Sequence, residues 1–139
     1  MGQPTFADVA VGDQPVRLEI DPISRTTLAL YAGASGDHNP MHIDIDYAKA
    51  AGESDVFAHG MLCMAYLGRS VTSWVPQSAV RSFNTRFTAI TRVGEKIVVT
   101  GKIAEKMESG GEKLVRLELA ATNEKGESKA AGEAVVALP

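Results

Sequence analysis

The sequence predicts an α+β fold in which an antiparallel β-sheet curls around one long apolar helix. Three observations predict it. The stretch "HGMLCMAYLGRSVTSWV" is apolar almost all round, so it belongs inside a protein, and it falls short of the roughly 20 residues that a membrane span needs. After Arg81 the chain breaks into segments whose apolar and polar residues alternate, the period of a half-buried strand. Short stretches bearing Gly or Asn separate those segments, as hairpins require.

In chain order, "QPVRLEI" sets Val16, Leu18 and Ile20 on one side of a short strand. A helix follows, with Ser24 as its N-cap, Leu28, Leu30 and Tyr31 as apolar positions, and Gly33 and Gly36 as its end. Pro40 stops any helix from resuming. "DIDYAKAAG" reads as a short helical turn closed by Gly52. The core helix, about Gly60 to Trp74, places Met61, Met64, Ala65, Gly68, Val71, Thr72 and Val75 at helical spacing, and Leu62, Cys63, Tyr66 and Leu67 fill most of its other face. Four strands then follow. "RSFNTRFTAI" puts Phe83 and Phe87 on one side, "EKIVVTGKIAEKM" alternates through Ile97, Val99 and Ile103, and "EKLVRLELAAT" through Val115, Leu117, Leu119 and Ala121; "SKAAGEAVVAL" is the last. With turns at Gly110–Gly111 and Gly126, these four are expected to form an antiparallel meander with one apolar face. Such a sheet has open edges, so at least a dimer is expected.

The 139 residues suit one domain, residues 1–139, and 45% hydrophobic residues suffice for its core. A net charge of −3 argues against a nucleic-acid binder, which needs a basic face. The single cysteine, Cys63, allows no disulfide within the chain, lies in an apolar run as a core residue, and fits a reducing, cytoplasmic setting. "MGQPTFADVAVGDQ" lacks a basic and then apolar leader, so neither a signal peptide nor a membrane span is expected.

The chemistry concentrates in "SGDHNPMH", Ser35 to His42. Asp37 and His42 would point apart on a helix; in a loop broken by Pro40 they can converge. Gly36 permits a tight turn, and Asn39 can hydrogen-bond its own loop and fix its shape. A carboxylate and an imidazole that meet beside an apolar helix form a general acid/base pair. Taken alone, Asp37 in such a loop also reads as a turn former. His38 and His42 have the i, i+4 spacing of zinc helices, but Pro40 forbids that helix, so no metal is expected. No G-x-S-x-G or phosphate-binding glycine motif is present. The second element is "AHGM", Ala58 to Met61. A helix N-terminus presents unpaired N–H groups, and Gly60 either lets a ligand oxygen approach them or merely allows close packing.

"YAGASGDHNPMHIDIDYA", "FAHGMLCMAYLGR" and "GEAVVALP" resemble the MaoC-like dehydratases and (R)-specific enoyl-CoA hydratases, and "VTSWV" with "FNTRFTAI" is similar to the β-type subunit of mycobacterial fatty-acyl dehydratases. The resemblance implies a hotdog fold and reversible syn hydration of trans-2-enoyl thioesters, on CoA or an acyl carrier, to (R)-3-hydroxyacyl thioesters. It assigns the catalytic roles to Asp37 and His42 and the oxyanion-binding amide to Gly60, with Asn39 and His59 in support. One of the pair, His42 in the first reading, takes a proton from water as it attacks C3 and the other delivers one to C2; which residue carries which proton stays open. No cofactor is implied; the CoA thioester is substrate. The partner is a second copy or a second hotdog subunit. Two alternatives remain beside a self-sufficient hydratase: the catalytic subunit of a heteromeric 3-hydroxyacyl dehydratase, and a non-catalytic acyl-thioester-binding module. A serine that some (R)-hydratases carry along the central helix is Gly68 here.

Overall fold

The computed structural model describes residues 2–139. Strand β1 (Val16–Glu19) leads to helix α1 (Arg25–Ser35). As expected, the Ser24 side chain accepts from the Thr27 N–H. The helix runs through Gly33 and closes only at Gly36, whose φ of 76° is left-handed and whose N–H returns to the Ala32 carbonyl. One mid-helix glycine costs only about 1 kcal/mol, less than the turn it would forfeit by stopping. Leu28 and Ala32 are buried, whereas Leu30 is 70% exposed and is no core position. It lies about 200° round the helix from Leu28.

Helix α2 (Ile45–Ala50) is capped by the Asp44 carboxylate, which accepts from the Asp46 and Tyr47 N–H groups, and Gly52 lies just past its end at φ 94°. Helix α3 (Gly60–Thr72) follows, then strands β2 (Val80–Phe87), β3 (Val98–Ser109), β4 (Glu112–Thr122) and β5 (Ser128–Ala137). Among the described residues, no helix is long and apolar enough to cross a membrane.

The strands form one antiparallel sheet in the order β1-β3-β4-β5-β2. β3, β4 and β5 are the expected meander. Gly110 and Gly111, at φ 59° and 78°, make the β3–β4 turn. β2 departs from the expectation: it pairs with β5 at the far edge rather than with β3. The ten or so residues between β2 and β3 carry the chain back across the end of the sheet. The inner face carries Ile97, Val99, Ile103, Val115, Leu117, Leu119 and Ala121, all buried.

α3 lies in the curve of the sheet and contacts all five strands. Leu62, Cys63, Tyr66, Leu67, Ser70 and Val71 face it and are buried. The expectation of a helix covered all round needs correction. Met61 is 52% exposed, and Ala65 and Thr72 are also open. The sheet curls round one side only, so the apolar outer stripe of α3 stays bare within this chain.

Candidate active site

Short-range bonds shape the loop after α1. The Asp37 N–H donates to Ser35 Oγ (3.2 Å), the Asn39 N–H to Asp37 Oδ1 (3.2 Å), and the Met41 N–H to Asn39 Oδ1 (3.1 Å). Pro40–His42 then make one 3₁₀ turn, with the His42 N–H on the Asn39 carbonyl. Asn39 is thus a loop former, by the Asx-turn mechanism its residue type favours. The folded loop brings Asp37 and His42 together with a third residue, His59, from the residue before α3. Each has a polar atom within 4.8 Å of the others. Asp37 is exposed, His42 partly buried, and His59 buried at 1% exposure.

The hydrogen bonds settle both tautomers. His42 Nδ1 lies 2.7 Å from the Phe57 carbonyl. A carbonyl only accepts, so Nδ1 carries a proton, and in the neutral ring Nε2 is the bare nitrogen. By the same argument His59 donates from Nε2 to the Asp37 carbonyl at 3.1 Å. Its Nδ1 is therefore unprotonated, and it is buried without a hydrogen-bond partner. The His59 ring stacks on His42 (centroids 3.9 Å apart, 29° between planes), and Tyr31 meets its edge at 4.9 Å. Burial holds the His59 pKa below the ordinary histidine value, and the neighbouring His42 pushes it the same way, which favours the neutral ring beside His42 and Asp37. Burial, then the Asp37 charge, raises the pKa of the Tyr31 hydroxyl.

Gly60 begins α3, and His59 at the N-cap makes no side-chain cap bond, which leaves the first-turn N–H groups without a side-chain acceptor. A Cβ at Gly60 would stand 3.3 Å from the Phe87 ring, so glycine also serves close packing there. Beside it opens a cavity of about 350 Å³, lined by His42, Phe57, Gly60, Cys63, Phe87 and Lys129. Asp37 is not part of that lining; it stands next to His42. A larger depression, about 460 Å³, lies among Arg86, Lys102, Glu118 and Glu133, away from these groups.

His38 is exposed and outside the cluster. Arg81 pairs with Glu112 and Arg92 with Glu53. Sequence reasoning missed Phe57, whose contribution is a backbone carbonyl that any residue would supply. It missed Lys129 too, and took Cys63 for core alone. The thiol lines the cavity and lies 3.3 Å from the Thr91 hydroxyl, and burial raises its pKa.

Residues 8–125 match the family model of the MaoC like domain. The chain belongs to this family. Its sheet with α3 in the curve is the hotdog fold. It is 32% identical over 90 residues to an (R)-specific enoyl-CoA hydratase of Rhodospirillum rubrum, a match covering 60% of this chain and 62% of that protein. The chain thus spans about three-fifths of the length of this relative. The R-hydratase PhaJ1 from Pseudomonas aeruginosa superimposes with a TM-score of 0.85 at 28% identity, over 97% of this chain and 85% of the other. The fold is also that of a chain in the ChsH1–ChsH2 complex from Mycobacterium tuberculosis, with a TM-score of 0.79 at 21% identity, over 94% and 98% of the two chains. The family is that of the MaoC-like hydratases and dehydratases.

Proposed function

We propose that this MaoC-like chain adds water reversibly to trans-2-enoyl thioesters, on CoA or an acyl carrier, and forms (R)-3-hydroxyacyl thioesters. One observation carries the reading. A carboxylate and an imidazole with its basic nitrogen bare come within one water's reach of each other, beside a largely apolar cavity that opens at a helix N-terminus.

The thioester carbonyl accepts from the Gly60 N–H, where the partial positive charge of α3 stabilises the developing enolate; one such donor is worth about 10²–10³ in rate. A water held between Asp37 and His42 attacks C3. The dyad takes one proton from that water and delivers one to C2, so the atoms balance and the pair ends as it began once a proton passes between its members. Both groups work from the same side, and the addition is syn. The reaction needs water and the thioester alone. Asn39 holds the loop in shape, and His59 holds both members of the dyad, one by a hydrogen bond and one by stacking.

The bare stripe of α3, with the exposed Met61, Phe87 and Ile90 nearby, favours assembly with a partner. We take the partner to be a second copy. A second reading makes it an unlike hotdog subunit that completes the acyl site. The purified chain, incubated alone with crotonyl-CoA, tests both. Loss of the enoyl absorbance, with (R)-3-hydroxybutyryl-CoA as product and no free thiol, supports the self-sufficient hydratase. Activity only after co-expression with a second chain supports the unlike pair. Thiol release would replace the hydratase by a thioesterase.

A further inference from the structure

The tautomer of His42 depends on one carbonyl, and little backbone pairing holds that carbonyl in place. Phe57 makes an isolated antiparallel bridge with Arg92, outside the five strands. The bond runs between their neighbours, from the Ala58 N–H to the Thr91 carbonyl at 2.9 Å, so Phe57 and Arg92 are a non-hydrogen-bonded pair. The Phe57 carbonyl therefore faces away from Arg92 and is free for His42 Nδ1, 2.7 Å away. A single bridge with no ladder behind it is marginal on its own. The Arg92 guanidinium lies 5.7 Å from the Phe57 ring centroid and pairs with Glu53, but it is 44% exposed, where such contacts are worth little.

Two largely buried ions hold the bridge from behind. The Lys129 ammonium donates to the Ile90 carbonyl at 2.8 Å, and the Arg92 N–H donates to Glu95 Oε1 at 3.0 Å, so the residues on both sides of Thr91 are clamped. The ions pair with each other, Lys129 Nζ to Glu95 Oε2 at 2.9 Å, and Lys129 also pairs with Glu127. Asn123 Nδ2 donates to the same Glu95 oxygen at 3.0 Å. The side chains of Lys129 and Glu95 are 2% and 17% exposed. Burial alone would raise the Glu95 pKa; the bonds from Lys129, Asn123 and the Arg92 N–H outweigh it and lower it, so the carboxylate is charged.

The lysine reaches this place through a β-bulge. β4 pairs Ala121 with Ala130 but Thr122 with Ser128, so Lys129 is the unmatched residue of β5. Lys129 and Ala130 are both buried, where a regular strand would send one of them outward. An inward lysine is tolerated only when its donors are satisfied, and here the Ile90 carbonyl, Glu95 and Glu127 supply an acceptor for each. Neither ion takes part in the proton transfers proposed above.

We propose that Glu95 and Lys129 are positioning residues: as an ion pair they clamp Ile90–Arg92, which holds Phe57 so that its carbonyl keeps a proton on His42 Nδ1 and leaves Nε2 of the neutral ring bare. That a bare Nε2 serves catalysis rests on the hydratase reading; that the clamp sets the tautomer does not. The test compares Lys129→Met, Glu95→Gln and Lys129→Met/Glu95→Gln with the parent. Each single variant strands one charge; the double variant removes both, so it reads the clamp even where a single variant fails to fold.

The ¹⁵N–¹H NMR correlations of the His42 ring, identified as the set missing from His42→Ala, are recorded at about pH 8.5, where free imidazole is neutral. Beside them, kcat and KM are measured for crotonyl-CoA. The parent is expected to show the Nδ1–H form. In the folded variants the ring is expected to move toward the Nε2–H form that free imidazole prefers. Their kcat is expected to fall by about ten-fold or more with a smaller change in KM, the pattern of misplaced chemistry rather than lost binding. A parent in the Nε2–H form, a folded double variant that keeps the parental tautomer, or one whose kcat stays within about two-fold of the parent would overturn the proposal. A tautomer shift in a protein that hydrates nothing would refute the reaction and leave the clamp on His42 standing.

Discussion

In the β3–β4–β5 sheet each position is held by many interchangeable contacts. Leu117 is fully buried, paired with Ile103 on one side and Ala134 on the other, and its neighbours on the inner face are equally apolar. In the loop from Ser35 to His42 a few short-range bonds hold the shape, and the residues are largely exposed. The sheet contributes stability and tolerates apolar exchange. The loop contributes little burial but places two side chains within reach of one water. Substitutions should therefore separate: those in the sheet lower the melting temperature of a protein that stays active when folded, and those in the loop abolish turnover in a protein that melts normally.

The largest effect belongs to the dyad. Asp37→Asn and His42→Ala are each expected to lower kcat for crotonyl-CoA hydration by about 10³-fold, with thermal midpoints close to the parent. The sheet supplies the converse. Leu117→Ala leaves a cavity and is expected to cost roughly 3 kcal/mol in denaturant unfolding, with kcat/KM per folded molecule unchanged. A loss of activity there equal to that in Asp37→Asn would erase the distinction. Asn39→Ala lies between them: it removes the acceptor for the Met41 N–H without touching substrate, and a misplaced dyad should lower kcat by about 10²-fold with little change in unfolding midpoint.

The smallest effect is a pH slope. Burial lowers the folded-state pKa of His59 from 6.5. Above that value the ring is neutral whether folded or not. As pH falls through 6.5 the unfolded chain takes up its proton first, so stability is lost progressively as pH falls toward the folded pKa. Unfolding measured between neutral and mildly acid pH should show this decline in the parent and a shallower one in His59→Phe. Equal slopes would place the ring in a wetter setting than the structure shows.

Much of this was legible in the sequence for a physical reason. Alternation in β4 reports directly on burial, since the sheet face and the strand period are the same constraint. The glycines at 110 and 111 name their turn. The convergence of Asp37 and His42 was legible because Pro40 leaves few shapes open to the loop. What escaped depends on contacts distant along the chain. Nothing in "RSFNTRF" says that β2 crosses to the far edge beside β5. The composition of α3 shows that its outer stripe is apolar, but not that this chain leaves the stripe bare. Lys129 would point outward in a regular strand, and only the bulge opposite Ala121–Thr122 turns it in. The carbonyl of Phe57, which sets the tautomer of His42, has no signature at all.

The claim that Asp37 and His42 act on one water from one face is tested most directly by hydrating crotonyl-CoA in D₂O and fixing the relative configuration of the product. The predicted result is one deuteron at C2, on the same face as the new hydroxyl, with the R configuration at C3. A deuteron delivered to the opposite face, or to both faces equally, would contradict it.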